Sequence, residues 1–300
     1  MDSVLPALDK KSVRAAFARA AARYDTAAVL QREIADRLLA RLDYMRIVPQ
    51  RILDLGCGTG YALDLLRKRY PGAHLVGLDI ALAMTAMART RTLPRLPFGL
   101  GRYLSRCRFI NADAEALPFA DHSFDLVFSN LALQWCDPDA VFRECRRVLR
   151  PGGLLLFSTF GPDTLKELRA AWQTVDQEAH VHAFIDMHDL GDALVRAHFA
   201  DPVMDVESLT LTYADVPGVL RDLKAIGAHN AAAVRNTALT GKTRFARFVQ
   251  AYEVFRHAEG RLPASYETVY GHAWTPLAEP ARSDEGSAVI SLSQLRRRRA

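Results

Sequence analysis

In this 300-residue chain, residue types and spacing point to chemistry most clearly at Asp54-Leu55-Gly56-Cys57-Gly58-Thr59-Gly60. The segment follows an apolar run, RILDL, that reads as a strand, and opens an amphipathic run from about Thr59 to Tyr70 that reads as a helix. Glycines at such a turn permit a tight reversal and let bare backbone approach a ligand. Asp79 closes the next apolar run, HLVGLD. A carboxylate there can accept hydrogen bonds from both hydroxyls of a ribose. A dinucleotide redox fingerprint would be G-x-G-x-x-G, and Tyr61 stands where its third glycine belongs. Taken singly, Asp54 is as readily a helix cap and Asn130 an end-of-strand turn residue. Their joint order along one α/β unit is what indicates a site. The sequence offers no Ser-His-Asp set, no metal cluster and no reactive-cysteine signature, so no metal is expected. Cys57, Cys107, Cys136 and Cys145 lack metal-type pairing and read as reduced thiols, which suits the cytoplasm.

The elements that must position these residues alternate. Residues 1–46 read as helix, with a bend at Tyr24–Asp25, and form a lid. From residue 47, strands RILDL, HLVGLD, CRFINAD, FDLVFSN and LLLFSTF alternate with helices near 59–70, 81–91 and 137–149. Nearly all-apolar strands in that rhythm predict a parallel sheet covered on both faces. Residues 91–106, rich in arginine, proline and glycine, read as an exposed connection, and DPVMDVESLTLTY as one or two further strands. The α/β core is placed at 47–213, a helical insertion at 214–262, and a final strand at 263–275, with its alternation clearest from Tyr266 to Trp274. The polar tail 276–300, ending in four arginines, is expected to be disordered. The net charge of +5 is too weak to indicate nucleic acid. No apolar run approaches the roughly 18 residues of a membrane span, and the N-terminal stretch lacks an export signal. A cytoplasmic monomer is expected.

The G-x-G-x-G loop preceded by an aspartate resembles the class I methyltransferases, which use S-adenosylmethionine. That resemblance assigns the cofactor to Asp54, Gly56, Cys57, Gly58, Thr59, Gly60 and the ribose acid Asp79, with Ile80 and Met84 lining the adenosine. Asp113-Ala114 corresponds to the pair meeting the adenine, Asn130-Leu131 to the edge of strand four, and Arg150-Pro151-Gly152-Gly153 to the turn before strand five. It implies a Rossmann-like, seven-stranded, mostly parallel sheet of order 3-2-1-4-5-7-6, its last two strands mutually antiparallel. The helical insertion falls between strands six and seven.

A narrower resemblance spans about residues 11–274. The blocks QREIADRLL, SNLALQWC and RDLKAIGAHN, with LTGKTRFARFVQAYEVFRHAEGRLPASYETVYGHAW, are similar to the malonyl-acyl-carrier-protein O-methyltransferases of biotin synthesis. Members methylate the free carboxylate of a malonyl group on a phosphopantetheine arm. This resemblance implies a carrier-protein partner. Such a site needs donors that steer a carboxylate, and Tyr24, at the bend, and Gln134, just past strand four, are the candidates; Tyr24 reads nearly as readily as a core aromatic, and Gln134-Trp135 as shaping the pocket wall. An acidic carrier would dock on Arg221, Lys224, Arg244 and Arg247, with His229 near the channel. Three alternatives stay open: methylation of a quinone precursor or small acid, a non-catalytic binding protein of this fold, and a relative of the arginine-hydroxylating assembly factors of respiratory complex I, of which RDLKAIGAHN is also reminiscent.

Overall fold

The computed structural model describes residues 8–92, 105–228 and 241–277. Helices α1 (Lys10–Ala27) and α2 (Val29–Ala40) lead into β1 (Arg51–Leu55), α3 (Tyr61–Arg69), β2 (His74–Asp79), α4 (Leu82–Thr92), β3 (Cys107–Asn111) and β4 (Phe124–Asn130). Then come α5 (Pro138–Val148), β5 (Leu149–Phe160), α6 (Lys166–Gln173), α7 (Met187–Arg196), β6 (Ala200–Tyr213), α8 (Val216–Ala225), α9 (Lys242–Glu253) and β7 (Leu262–Trp274). The strands form one sheet of order β3-β2-β1-β4-β5-β7-β6. Strands β1 to β5 pair in parallel, and β7 runs antiparallel to both β5 and β6. This is the expected class I methyltransferase sheet.

Alternate residues of the central strands divide between two cores, as a two-residue side-chain period requires. Ile52, Leu126, Phe128, Leu154 and Leu156 pack on one face with α2, α3, α6 and α8. Leu53, Leu55, Val127, Leu155 and Phe157 pack on the other with α5 and α7. Helix starts are chemically specified: Asp137 accepts the Ala140 N–H at 2.8 Å ahead of Pro138, and Asp9 accepts the N–H groups of Lys11 and Ser12.

Four boundaries differ from the sequence expectation. The N-terminal bend lies at Ala28 (φ −78°, ψ 45°), not at Tyr24–Asp25, which sit in the last turn of α1. The Asp25 carboxylate reaches across to Thr59 and Arg91 rather than capping the next helix. Helix α3 starts at Tyr61 rather than Thr59, because Gly60 is left-handed (φ 84°) and still belongs to the turn. Strand β6 is one 14-residue element, held along its length by β7, which itself begins at Leu262. Helices α8 and α9 both lie between β6 and β7 in the chain. Most of the arginine-rich connection (93–104) and the tail from 278 onward lie outside the described residues.

Candidate active site

The glycine turn is stitched to β2. The Gly56 and Cys57 N–H groups both donate to the Leu78 carbonyl, at 2.8 and 2.9 Å, and Gly60 N–H closes the turn on Cys57 O at 2.8 Å. Gly56 has φ +74°, and a Cβ there would stand 2.3 Å from the Ala132 Cβ, so no other residue fits. Gly58, at φ +51°, is different: a Cβ would meet no protein atom within 4 Å. The space beside it is the cavity itself, which is what close approach of backbone to a ligand requires.

Asp79 faces that space from the end of β2. Its Oδ2 accepts Gly58 N–H at 3.0 Å and its Oδ1 accepts Ala81 N–H at 2.8 Å. Burial pushes its carboxyl up to about 6, against the pull of these two N–H groups. Ile80, Met84, Asp113, Ala114, Asn130, Leu131 and Trp135 line the same cavity, roofed from α1 by Val13, Phe17 and Tyr24. The Lys10 ammonium bridges Asp113 (2.9 Å) and Glu115 (2.7 Å), tying the start of α1 to the far side of the cavity. Asn130 is fixed from both sides, donating to Gln31 O at 3.0 Å and accepting from Ser158 Oγ at 2.8 Å. Leu131 holds a left-handed backbone (φ 51°), the kind of strain that concentrates at functional turns.

A second compartment shares Tyr24, Gly56, Gly58 and Asn130 with the first and extends to Gln31, Arg32, Asp54, Cys57, Thr59 and Tyr61. Asp54 Oδ2 and Gln31 Oε1 are buried there without a hydrogen-bond partner among the described residues. Burial, and then the charge of Asp79, raise the Asp54 carboxyl to about 8. Two buried, unpartnered oxygens beside Asp79 offer a place that an ammonium group could fill, donating to both and favouring the ionised form of Asp54. Thr59 contributes less directly, its hydroxyl donating to Asp25 at 2.6 Å. Burial, followed by the charges of Asp54 and Asp79, pushes the Cys57 thiol well up, so it is no nucleophile.

A third space, about 290 Å³, adjoins at Trp135. It is an apolar chamber between α6, the 180–184 segment, α8 and β7, walled by Phe160, Leu168, Trp172, Phe184, Leu223 and Tyr266. Trp172 is sandwiched between His180 (3.7 Å) and Phe248 (4.2 Å), which makes one wall stiff. Lys224 lines this chamber.

The sequence-derived candidates thus separate. Tyr24 stands where the first two compartments meet, and burial, with nearby Asp79, raises its phenol, keeping it protonated. Gln134 does not line the cofactor cavity: its amide donates to Leu131 O at 2.8 Å and accepts from Thr159 at 3.3 Å, bracing the turn after β4. Arg244 is held by Asp176 and Glu178, and Arg247 leans on Thr174 O, so the α9 arginines staple that helix to the segment that follows α6. Arg221 is exposed, 3.7 Å from Asp215. His229 lies outside the described residues. Sequence reasoning missed Lys10, Gln31, Arg32 and His182. For Gln31 and Arg32 a signal existed in the QREIADRLL block; a lone lysine and a lone histidine gave none.

Comparison with known proteins bears on this arrangement. A methyltransferase-domain family profile matches residues 53–157. The chain is 55% identical over 285 residues to a malonyl-[acyl-carrier protein] O-methyltransferase of Laribacter hongkongensis, covering 94% of this chain and 95% of that one. It is 53% identical over 289 residues to a protein of the same name from Gallionella capsiferriformans, covering 95% and 97%. The chain belongs to the malonyl-[acyl-carrier protein] O-methyltransferase family. Among solved structures, the YcgJ protein of Bacillus subtilis superposes with a TM-score of 0.54 at 19% identity, covering 80% of this chain and 97% of that one. Phosphoethanolamine N-methyltransferase 2 of Haemonchus contortus, solved with phosphomonomethylethanolamine and S-adenosylhomocysteine, gives 0.50 at 21%, covering 80% and 52%. At such identities these two speak for the fold alone. The narrower family carries everything finer.

Proposed function

We propose that this chain methylates the free carboxylate of a malonyl thioester on acyl-carrier protein, using S-adenosylmethionine, as a priming step of biotin synthesis. The observation that carries this is family membership over nearly the full chain, in a protein whose cofactor cavity and apolar chamber meet at one residue, Trp135. When bound, S-adenosylmethionine supplies a methyl carbon on a cationic sulfur, and the new O–C bond forms as the C–S electron pair returns to sulfur. No proton moves, because a malonyl carboxylate is ionised at neutral pH, and the absence of a general base in the expected set follows from that.

What the chain must do is bind, orient and exclude water. Asp79 holds the ribose, Asp54 and Gln31 the ammonium, and Ile80, Met84 and Ala114 the adenosine. Tyr24 presents a neutral hydroxyl where the two cofactor compartments meet, a donor that steers an oxygen without quenching its charge. Helices α1 and α2 act as the lid, latched by Lys10 at one end and Asp25 at the other. Arg221 and Lys224, three residues apart on α8, form the basic approach for an acidic carrier. Four free cysteines support a reducing compartment such as the cytoplasm, and no helix of the described residues is long and apolar enough to cross a membrane.

The test is transfer of labelled methyl from the cofactor to a panel of malonyl carrier protein, free malonate and quinone precursors. Ester formation on the malonyl thioester alone is expected. Transfer to a quinone precursor instead, or to nothing, would overturn the assignment.

A further inference from the structure

The chamber wall contains a polar group that the proposed reaction does not yet use. His182 lies between α6 and α7, 7% exposed, in a ring of aromatics: its centroid is 4.9 Å from Trp135 and 4.4 Å from Phe184. Trp135 also lines the cofactor cavity, so His182 stands one aromatic ring back from it. The same imidazole lines a neighbouring cavity, of about 270 Å³, on its other side. Its Nε2 is buried without a hydrogen-bond partner among the described residues. Buried polar atoms in folded proteins are nearly always paired, and an exception calls for a ligand or a water. Burial, together with the nearby Arg169 guanidinium, pulls the ring down to about 4. The imidazole is therefore neutral at physiological pH, with one nitrogen a donor and one an acceptor, and rotation about its Cβ–Cγ bond turns either toward the chamber.

We infer that His182 donates a hydrogen bond to the thioester carbonyl oxygen of the acceptor, one methylene away from the carboxylate that is methylated. The inference rests on the malonyl thioester reading above. Its logic is one of matching: a neutral donor in an apolar wall suits a neutral carbonyl, whereas a cation there would draw the carboxylate to the wrong place. Trp135 lines both spaces, and the malonyl group lies along its edge. The carboxylate passes it into the cofactor cavity and the carbonyl stops at His182. Free malonate, which has a second carboxylate where the carbonyl belongs, would bring a charge against a neutral, buried ring, so the same residue discriminates against it.

The experiment compares two acceptors on the same carrier protein: the malonyl thioester, and a thioether analogue in which the thioester C=O is replaced by CH2 while the carboxylate is kept. Initial rates of labelled methyl transfer give kcat/KM for each. The native chain should prefer the thioester by about tenfold, the worth of one buried hydrogen bond. In His182→Phe the preference should fall to near unity, with cofactor affinity unchanged. His182→Asn, a smaller side chain that keeps an N–H donor, should retain part of it and covers the case in which phenylalanine does not pack. An undiminished preference in both variants, or equal rates on the two acceptors in the native chain, would overturn the role of His182 while leaving the malonyl reading intact. No transfer by the native chain to the malonyl carrier would sink that reading itself.

Discussion

Protonating Asp79 should release the cofactor. Its two oxygens already accept the Gly58 and Ala81 N–H groups, and a ribose adds two O–H donors to the same carboxylate. Only the ionised form has acceptor capacity for all four. Burial has raised its carboxyl to about 6, so at pH 7 about nine in ten unliganded molecules carry an ionised Asp79 and at pH 5 about one in eleven, which sets the share of the pH dependence that Asp79 contributes. The sign follows from the direction of the shift: an acid whose proton is held more tightly in the free site loses competence as pH falls through about 6. Apparent Kd should therefore rise about tenfold from pH 7 to pH 5, or about 1.4 kcal/mol. Asp54, raised to about 8, adds its own slope, since a bound ammonium favours its ionised form. Asp79→Asn isolates the first effect. It should weaken binding at pH 7 by at least tenfold, through loss of charge-assisted hydrogen bonds, and it should lack the tenfold phase between pH 7 and pH 5. Isothermal titration with S-adenosylhomocysteine at several pH values reads both. A native Kd that is flat across this window, or an identical pH slope in Asp79→Asn, would refute the assignment of Asp79 to the ribose.

Three further outcomes are expected. Gly58→Ala should cost about 1 kcal/mol of stability, from the left-handed backbone alone, yet abolish cofactor binding, whereas Gly56→Ala should cost several kcal/mol through its collision with Ala132; calorimetry with and without ligand separates them. Tyr24→Phe should lower kcat about tenfold with little change in cofactor Kd, while Gln134→Ala should change kcat less than threefold, because its amide braces Leu131 and Thr159 instead. Reversing the charges of Lys224 and Arg221 to Glu should raise KM for the carrier-bound acceptor tenfold or more, and steady-state kinetics at low and moderate salt should show the defect shrinking as salt is added.

The first four strands were legible because they are short, largely apolar and separated by strong turn residues. RILDL, HLVGLD and FDLVFSN stand in the structure with the bounds their composition suggests, at Arg51–Leu55, His74–Asp79 and Phe124–Asn130. The glycine turn and Asp79 stand where the sequence reading put them, following β1 and ending β2, and they line one cavity. The proposed acceptor side was legible only in part, through Tyr24, Trp135 and Lys224, which line the cavities. His182 and Lys10 are placed by tertiary neighbours far away in sequence: Lys10 meets Asp113 across 103 residues, and His182 meets Trp135 across an intervening strand and two helices. The Tyr24–Asp25 bend failed because a tyrosine and an aspartate do not end a helix when the carboxylate finds distant partners. Gln134 and Arg244 were of suitable chemistry, but folding gave Gln134 the Leu131 carbonyl and the Thr159 hydroxyl, and gave Arg244 the distant carboxylates of Asp176 and Glu178, partners that sequence spacing does not reveal.

The most direct measurement is a crystal structure of the chain with S-adenosylhomocysteine. The account predicts the ribose hydroxyls on Asp79, the adenine against Ile80 and Ala114, the ammonium within hydrogen-bonding distance of Asp54 and Gln31, and the sulfur facing Tyr24 and Trp135. A ligand lodged elsewhere, or a glycine turn with Gly58 turned away from it, would contradict the account.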